Sequence, residues 1–240
     1  MWKDIWEKKG KDIDYSNLTL SDLISIDGFD SSGKVLDADS WVAYAKHVCM
    51  SVNDINNKKS ILEIGCGAGA FLKAMESLLN KESKIYGIDY SQNLINIAKL
   101  IFNAENFNCI EAIDIDRLYK NDYFDLIFSN SAFQYFKNKE YAFLLIDKLY
   151  NLLQVNGDLV LLDLNNIEKE SEYHKIRMAG MTKEEYEKKY SYLNHLFFSE
   201  EEIFSYISHL GFRKIIIEEQ NVKGYSNNEL RFNIFALSKK

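Results

Sequence analysis

Proline is absent from all 240 residues. Turns must therefore be built by glycine, asparagine, aspartate and serine, and any catalytic motif that contains a proline is excluded. Cysteine is scarce: Cys49, Cys66 and Cys109 are odd in number and widely spaced. They form neither a disulfide framework nor a zinc-ligand pattern, so no metal site is expected and a reducing cytoplasm is the expected compartment. No apolar run approaches the roughly 18 residues of a membrane span, and the opening MWKDIWEKKGKDID is too charged for a signal peptide. Positive charge is also short, with 29 Lys and Arg against 36 Asp and Glu and a net charge of −7. Neither nucleic acid, whose binding draws on a basic patch, nor a membrane surface is an expected partner.

What is there is an ordinary globular mixture, 47% apolar and 27% charged, long enough for one domain with a proper core. Its centre is Ser60 to Phe71, SILEIGCGAGAF. The apolar run Ile61-Leu62-x-Ile64 reads as a buried strand and breaks into Gly65, Gly67 and Gly69. Phe71, Leu72, Met75, Leu78 and Leu79 follow at helical spacing. Alternating glycines between a strand and a helix let a ligand approach backbone N–H groups at a positive helix end. An ordinary strand–helix turn rarely needs three of them, so a nucleotide-type ligand is expected.

Gly65, Gly67 and Ala70 also satisfy the dinucleotide fingerprint G-x-G-x-x-G/A. Glu63, two residues before the first glycine, points elsewhere. A carboxylate there repels a pyrophosphate and welcomes a cationic ammonium or sulfonium. With Glu63-Ile64-Gly65-Cys66-Gly67-Ala68-Gly69 complete, the chain resembles the class I S-adenosylmethionine-dependent methyltransferases, whose first motif reads E/D-x-G-x-G-x-G. The resemblance implies S-adenosyl-L-methionine as cofactor and cofactor contacts from Glu63, Gly65, Cys66, Gly67 and Gly69.

Strands and helices then alternate, the mark of a parallel sheet covered on both faces. Lys84–Asp89 reads as a second strand, Phe107–Ile113 as a third, Tyr123–Ser129 as a fourth and Asp158–Leu164 as a fifth. The helices between them begin at Ser91 and cover Tyr141 to Leu152; Ser199 with its three glutamates opens another. The stretches GFRKIIIEEQ and ELRFNIFALSKK read as two closing strands, the last antiparallel. The expected fold is α/β, doubly wound, a mostly parallel seven-stranded sheet with helices on both faces. One domain spans 1–240: a lid and edge helix in 1–58, the cofactor-binding core in 59–165, an insertion in 166–198, and a closing helix and hairpin in 199–240. In 1–39, Trp2, Ile5 and Trp6 share a helical face, Gly28 and Gly33 bracket Phe29-Asp30, and Asp39-Ser40 starts a helix. That segment reads as packing on the sheet edge, as a lid over substrate, or as both.

Ligands of an open α/β sheet bind outside the carboxyl ends of its strands. Asp89 ends the second strand, beside Tyr90, and is placed to accept both ribose hydroxyls. The resemblance gives Asp114, after the third strand, the adenine amino group, with the Ile115 N–H on the ring; Asp116 competes for that role. It also implies that Ser129 and Asn130 hold the methionine end. Many relatives of that family place a histidine where Gln134 stands. Glutamine is no base at neutral pH, so Gln134 is expected to bind or orient.

An acceptor amine need only be neutral, whereas an acceptor hydroxyl needs a base. His195 is the base candidate, with His174, Tyr192 or Asp163 behind it. Asp163 and Asn165 are insufficient for a metal. The polar, aromatic insertion suits a small polar metabolite, such as a sugar or phosphorylated precursor of a surface polysaccharide, methylated on oxygen or nitrogen. The rival readings are a non-catalytic S-adenosylmethionine or nucleotide-binding module and an NAD(P)-dependent oxidoreductase.

Overall fold

In the computed structural model, residues 2–11, 15–31, 34–190 and 193–240 are described; Gly33 and Tyr192 lie outside them. Seven strands form one sheet: β1 (Ser60–Ile64), β2 (Lys84–Asp89), β3 (Phe107–Cys109), β4 (Phe124–Asn130), β5 (Leu153–Asn165), β6 (Phe212–Glu219) and β7 (Arg231–Lys239). Their spatial order is β3-β2-β1-β4-β5-β7-β6. The pairs from β3 to β5 are parallel, and β7 runs antiparallel to both neighbours. This is the mostly parallel, doubly wound seven-stranded sheet expected. The strand order reverses beside β1, so a crevice opens at the carboxyl ends of β1 and β4.

Nine helices dress the described residues: α1 (Trp2–Trp6), α2 (Leu20–Ile26), α3 (Ala38–Ser51), α4 (Ala70–Glu76), α5 (Gln92–Ile101), α6 (Lys139–Leu152), α7 (Glu170–Met178), α8 (Lys183–Tyr190) and α9 (Glu200–Leu210). Helices α2 to α5 pack on one face of the sheet, through Trp41, Phe71 and Ile95 against Ile61, Phe128 and Val160. Helices α6 and α9 cover the other, through Leu145, Leu149 and Ile203 against Leu62, Ile127 and Leu161. Strand residues reach the two faces alternately, as the pleat requires.

Local chemistry sets the boundaries. Ser91 accepts from Leu94 N to open α5, and Ser199 accepts from Glu202 N to open α9. Helix α3 starts earlier than Asp39-Ser40 suggests, because Asp37 accepts from Ser40 N and so caps it. Strand β3 is cut short: after Cys109 the backbone curls into 3-10 turns over Ala112–Arg117. Strand β5 is longer than Asp158–Leu164 and carries an irregularity between Leu161 and Leu164, where Asp163 takes φ 58. That bulge resets the alternation, with Leu162 on one face and Leu164 on the other.

Candidate active site

Beyond β1 the chain turns sharply. Gly65 N and Cys66 N both donate to Ile88 O of β2, at 2.8 and 3.0 Å, which closes the turn against the neighbouring strand. Gly67 follows with φ 54 and Gly69 with φ 91, conformations that L side chains rarely adopt. The side chain laid into this turn is Asp27, from the N-terminal segment. Its carboxylate accepts from Ala68 N at 2.6 Å and from Ala70 N at 2.9 Å. A Cβ on Gly67 would collide with Asp27 Oδ1, so this glycine is required by a protein carboxylate. Asp27 is positioned by the end of α2, whose last turn is closed by Gly28 at φ 80.

Three carboxyls crowd this corner. Glu63 is 2% exposed and its Oε2 has no partner; Asp89 is 8% exposed and accepts from Gly67 N at 3.1 Å and Ser91 N at 2.8 Å. Burial raises the Asp27 carboxyl to about 7, against the pull of its backbone donors, and raises Asp89 to about 6. Glu63 is pushed well above the usual carboxylate range by burial first and then by Asp27 and Asp89.

These acids line a cavity of about 480 Å³ at the carboxyl edge of the sheet, within the ~300–1,000 Å³ range of ligand sites. Gly65, Cys66, Gly67 and Tyr90 form its floor with them, Glu111 and Ala112 one side, and Asn130 and Tyr135 another. Trp2 and Trp6 of α1 close it from above. Trp2 stacks on His195 with ring centroids 4.4 Å apart, and both tryptophans meet Tyr135 edge-on. The Trp2 indole N–H donates to Asn194 O at 3.0 Å, while Lys3 approaches Glu111 at 3.8 Å across the opening.

A second cavity, of about 210 Å³, shares the wall of Asp27, Phe29, Ser131 and Tyr135 with the first. Its far side holds Arg177, Arg231, His195, Tyr173 and Tyr225. The segment carrying His195 is laid along the end of β5: Asn165 donates to Leu196 O at 2.8 Å, Leu196 N to Gln134 O at 2.9 Å, and Phe198 N to Asn165 O at 2.8 Å. His195 Nδ1 receives Arg177 at 2.9 Å and lies against the Tyr173 hydroxyl, leaving Nε2 without a partner. Burial first, and then Arg177, Arg231 and His174, lower its pKa to about 2. The bulge in β5 aims Asp163 inward, where Tyr225 donates to it at 3.0 Å and Arg231 approaches at 3.8 Å.

The profile of the family described as Methyltransferase domain matches residues 55–207. The chain belongs to the S-adenosylmethionine-dependent methyltransferases. It is 38% identical over 109 residues to malonyl-[acyl-carrier protein] O-methyltransferase 2 of Ilyobacter polytropus, covering 44% of this chain and 39% of that one. The chain thus spans well under half of that relative's length. It is 29% identical over 171 residues to carboxy-S-adenosyl-L-methionine synthase of Helicobacter hepaticus, covering 65% of this chain and 69% of that one. Among solved structures, an S-adenosylmethionine-dependent methyltransferase from Archaeoglobus fulgidus superposes with a TM-score of 0.62 at 16% identity, over 84% of this chain and 95% of that one.

The cavity fits the cofactor of this methyltransferase family. Its unpartnered buried atoms include the acceptors Glu63 Oε2 and Asn130 Oδ1. An ammonium would donate to them, and an ammonium or sulfonium charge would favour the ionised carboxyls. Of the residues singled out in the sequence, Glu63, Gly65, Cys66, Gly67, Asp89, Tyr90 and Asn130 line the cavity, and Gly69 stands just behind as the turn leading into α4. Asp114 and Ile115 do not line it. With β3 ended at Cys109, Ile115 is buried in the core and Asp114 pairs outward with Arg117 at 3.1 Å, leaving Glu111 and Ala112 at the edge. Asp116 pairs with Lys148 at 2.7 Å.

Two further residues are also set back from the cavity. Ser129 donates to Ile64 O at 2.9 Å, fully inside the sheet. Gln134 donates to Ser131 Oγ at 2.7 Å, and its Oε1 is unpartnered. Of the residues that line the two cavities, sequence reasoning did not single out Asp27, Glu111 or Arg231, and it met Arg177 only as one polar residue of the insertion. Only Asp27 carried a local signal, the helix-ending Asp-Gly pair, and that signal names no partner. Among the described residues no cluster of His, Cys, Asp or Glu could hold a metal ion, and no helix is long and apolar enough to cross a membrane.

Proposed function

We propose that the chain transfers a methyl group from S-adenosylmethionine, held in the larger cavity, to a small polar acceptor that occupies the smaller one. The observation that carries this reading is the shared wall: Asp27, Phe29, Ser131 and Tyr135 line both spaces, so two ligands bound side by side would meet there. Glu63, Asp27, Asp89 and the backbone at Gly65 and Gly67 hold the cofactor, and Trp2 and Trp6 keep water out. The cofactor supplies an already activated methyl group. The protein's task is therefore alignment and exclusion of water.

No base is assigned to His195. A nitrogen whose pKa is held near 2 takes up no proton at neutral pH. Two donors on Nδ1 leave the ring hydrogen on Nε2, making His195 a donor to the acceptor. A sugar or phosphorylated polysaccharide precursor has no support from the relatives' printed names, and the acceptor is better sought among small metabolites in general. Isothermal titration tests the cofactor half. S-adenosylmethionine and S-adenosylhomocysteine should bind in the micromolar range and NAD(H) should not; the reverse result would sink the reading. A non-catalytic binding module, the rival reading, predicts binding without any cofactor-dependent methylated product from a metabolite extract.

A further inference from the structure

The two cavities differ in the sign of what they leave unpaired. In the larger, one carboxylate oxygen of Glu63, the Asn130 amide oxygen and the Tyr90 hydroxyl lack partners. In the smaller, His195 Nε2 and Arg231 Nε are buried donors without a hydrogen bond, Arg231 Nε standing 3.8 Å from Asp163 Oδ1. Two guanidinium groups stand on the same wall. We infer that the smaller cavity is a subsite for a monoanionic carboxylate on the methyl acceptor, held by Arg177 and Arg231 with the His195 Nε2–H as a further donor.

The assignment rests on the preceding functional reading and deepens it. Charge counting selects a monoanion. Arg231 is 6% exposed and has its counter-charge in Asp163, which is fully buried and also held by Tyr225 and Gln220. Arg177 is half-buried, and among the described residues no carboxylate lies within ion-pair distance of it. Its hydrogen bonds go to the neutral Tyr173 hydroxyl and His195 Nδ1, and its guanidinium lies over the Tyr190 ring, 4.1 Å from the centroid. Asp27, on the shared wall, is the remaining acid facing this space. With Asp163 set against Arg231, and Asp27 turned to the Ala68 and Ala70 N–H groups and the cofactor side, Arg177 is the guanidinium left without a carboxylate, a match for one monoanion and a poor one for a phosphate dianion. Guanidinium groups suit this task because their planar fork matches the two carboxylate oxygens. A carboxylate also brings its own negative charge to the reaction, which agrees with the absence of a base beside it.

The test uses the whole chain saturated with S-adenosylhomocysteine, titrated calorimetrically with acetate, butyrate and benzoate, with the matched neutral amides, and with inorganic phosphate. At least one carboxylate should bind tenfold or more tightly than its amide and than phosphate. Arg177→Gln, at a half-exposed position that leaves the Arg231–Asp163 pair intact, should weaken that binding at least tenfold and leave S-adenosylhomocysteine affinity unchanged. Equal binding of carboxylate and amide, phosphate as the preferred anion, or no carboxylate binding would each overturn the assignment. So would a loss of S-adenosylhomocysteine affinity in Arg177→Gln, because that result would place the cofactor's own carboxylate on the guanidinium. Failure of S-adenosylhomocysteine to bind the unmodified chain would instead overturn the reading beneath it.

Discussion

An aspartate laid into a glycine turn competes for the same backbone donors that a bound anion would use, and Asp27 does so from a distant part of the chain. Its proton affinity makes the arrangement testable. A carboxyl whose folded pKa lies above its unfolded value keeps its proton better in the fold. The stabilisation this gives is full below the unfolded value of 3.8 and is lost as pH rises through about 7 for Asp27 and about 6 for Asp89. His195 works the other way, since its depressed pKa withdraws stability as pH falls from 6.5 toward about 2. Asp27→Asn removes one contribution and leaves the others. Relative to the unmodified chain, its melting temperature should climb as pH is raised from about 5 to about 8, while its affinity for S-adenosylmethionine falls. A melting difference that stays constant across that range would exclude an Asp27 that titrates in the fold. Glu63 and Asp89 could be found in the sequence because each is tied to the glycine motif by the strand it ends or precedes. Asp27 could not, because its role exists only once α2 is folded against α4.

At the scale of elements, the strands were legible where an apolar run was bounded by turn residues. Lys84–Asp89 and the closing pair show it. The third strand was overread because Ile110 and Ile113 continue its apolar pattern, while the backbone had already turned at Cys109 to bury Ile115. The early turn sets Asp114 outside the cavity lining and leaves Glu111 at its edge. The bulge in β5 has no signature in Leu161–Leu164, yet it aims Asp163 at Arg231 and so builds one wall of the smaller cavity. Helix α1 is too short to be stable alone, so its place depends on Trp2 against His195 and Tyr135 and on Trp6 against Tyr135 and Gly28. Trp2→Ala should therefore loosen the cover without unfolding the sheet. An aromatic pair contributes about 1 kcal/mol, so S-adenosylhomocysteine should dissociate about fivefold faster in a stopped-flow displacement measurement. An unchanged dissociation rate would show that α1 does not retain the ligand.

Across the whole molecule, the two cavities are lined by opposite charge. Asp27, Glu63, Asp89 and Glu111 line the larger cavity, faced by Lys3 and Lys137, while the arginines stand at the smaller one. A cationic cofactor is drawn to such a site and an anionic acceptor is repelled from it, because in a low-dielectric cleft like charges are poorly screened. Binding should then be ordered, the cofactor first, its charge cancelling the field that the acceptor would otherwise meet. The coupling can be read by titrating benzoate into three forms of the chain. These are unliganded, saturated with S-adenosylhomocysteine, and saturated with a non-transferable analogue carrying an ammonium in place of the sulfonium. Because S-adenosylhomocysteine lacks the sulfonium, the cationic analogue should raise benzoate affinity further than it does, by about five- to tenfold, near the lower end of the usual ~1–3 kcal/mol of coupling between sites. Reciprocity requires benzoate to tighten the analogue by the factor by which the analogue tightens benzoate relative to the unliganded chain. Benzoate that binds the unliganded chain as tightly as the analogue complex would show that the two cavities do not sense each other's charge.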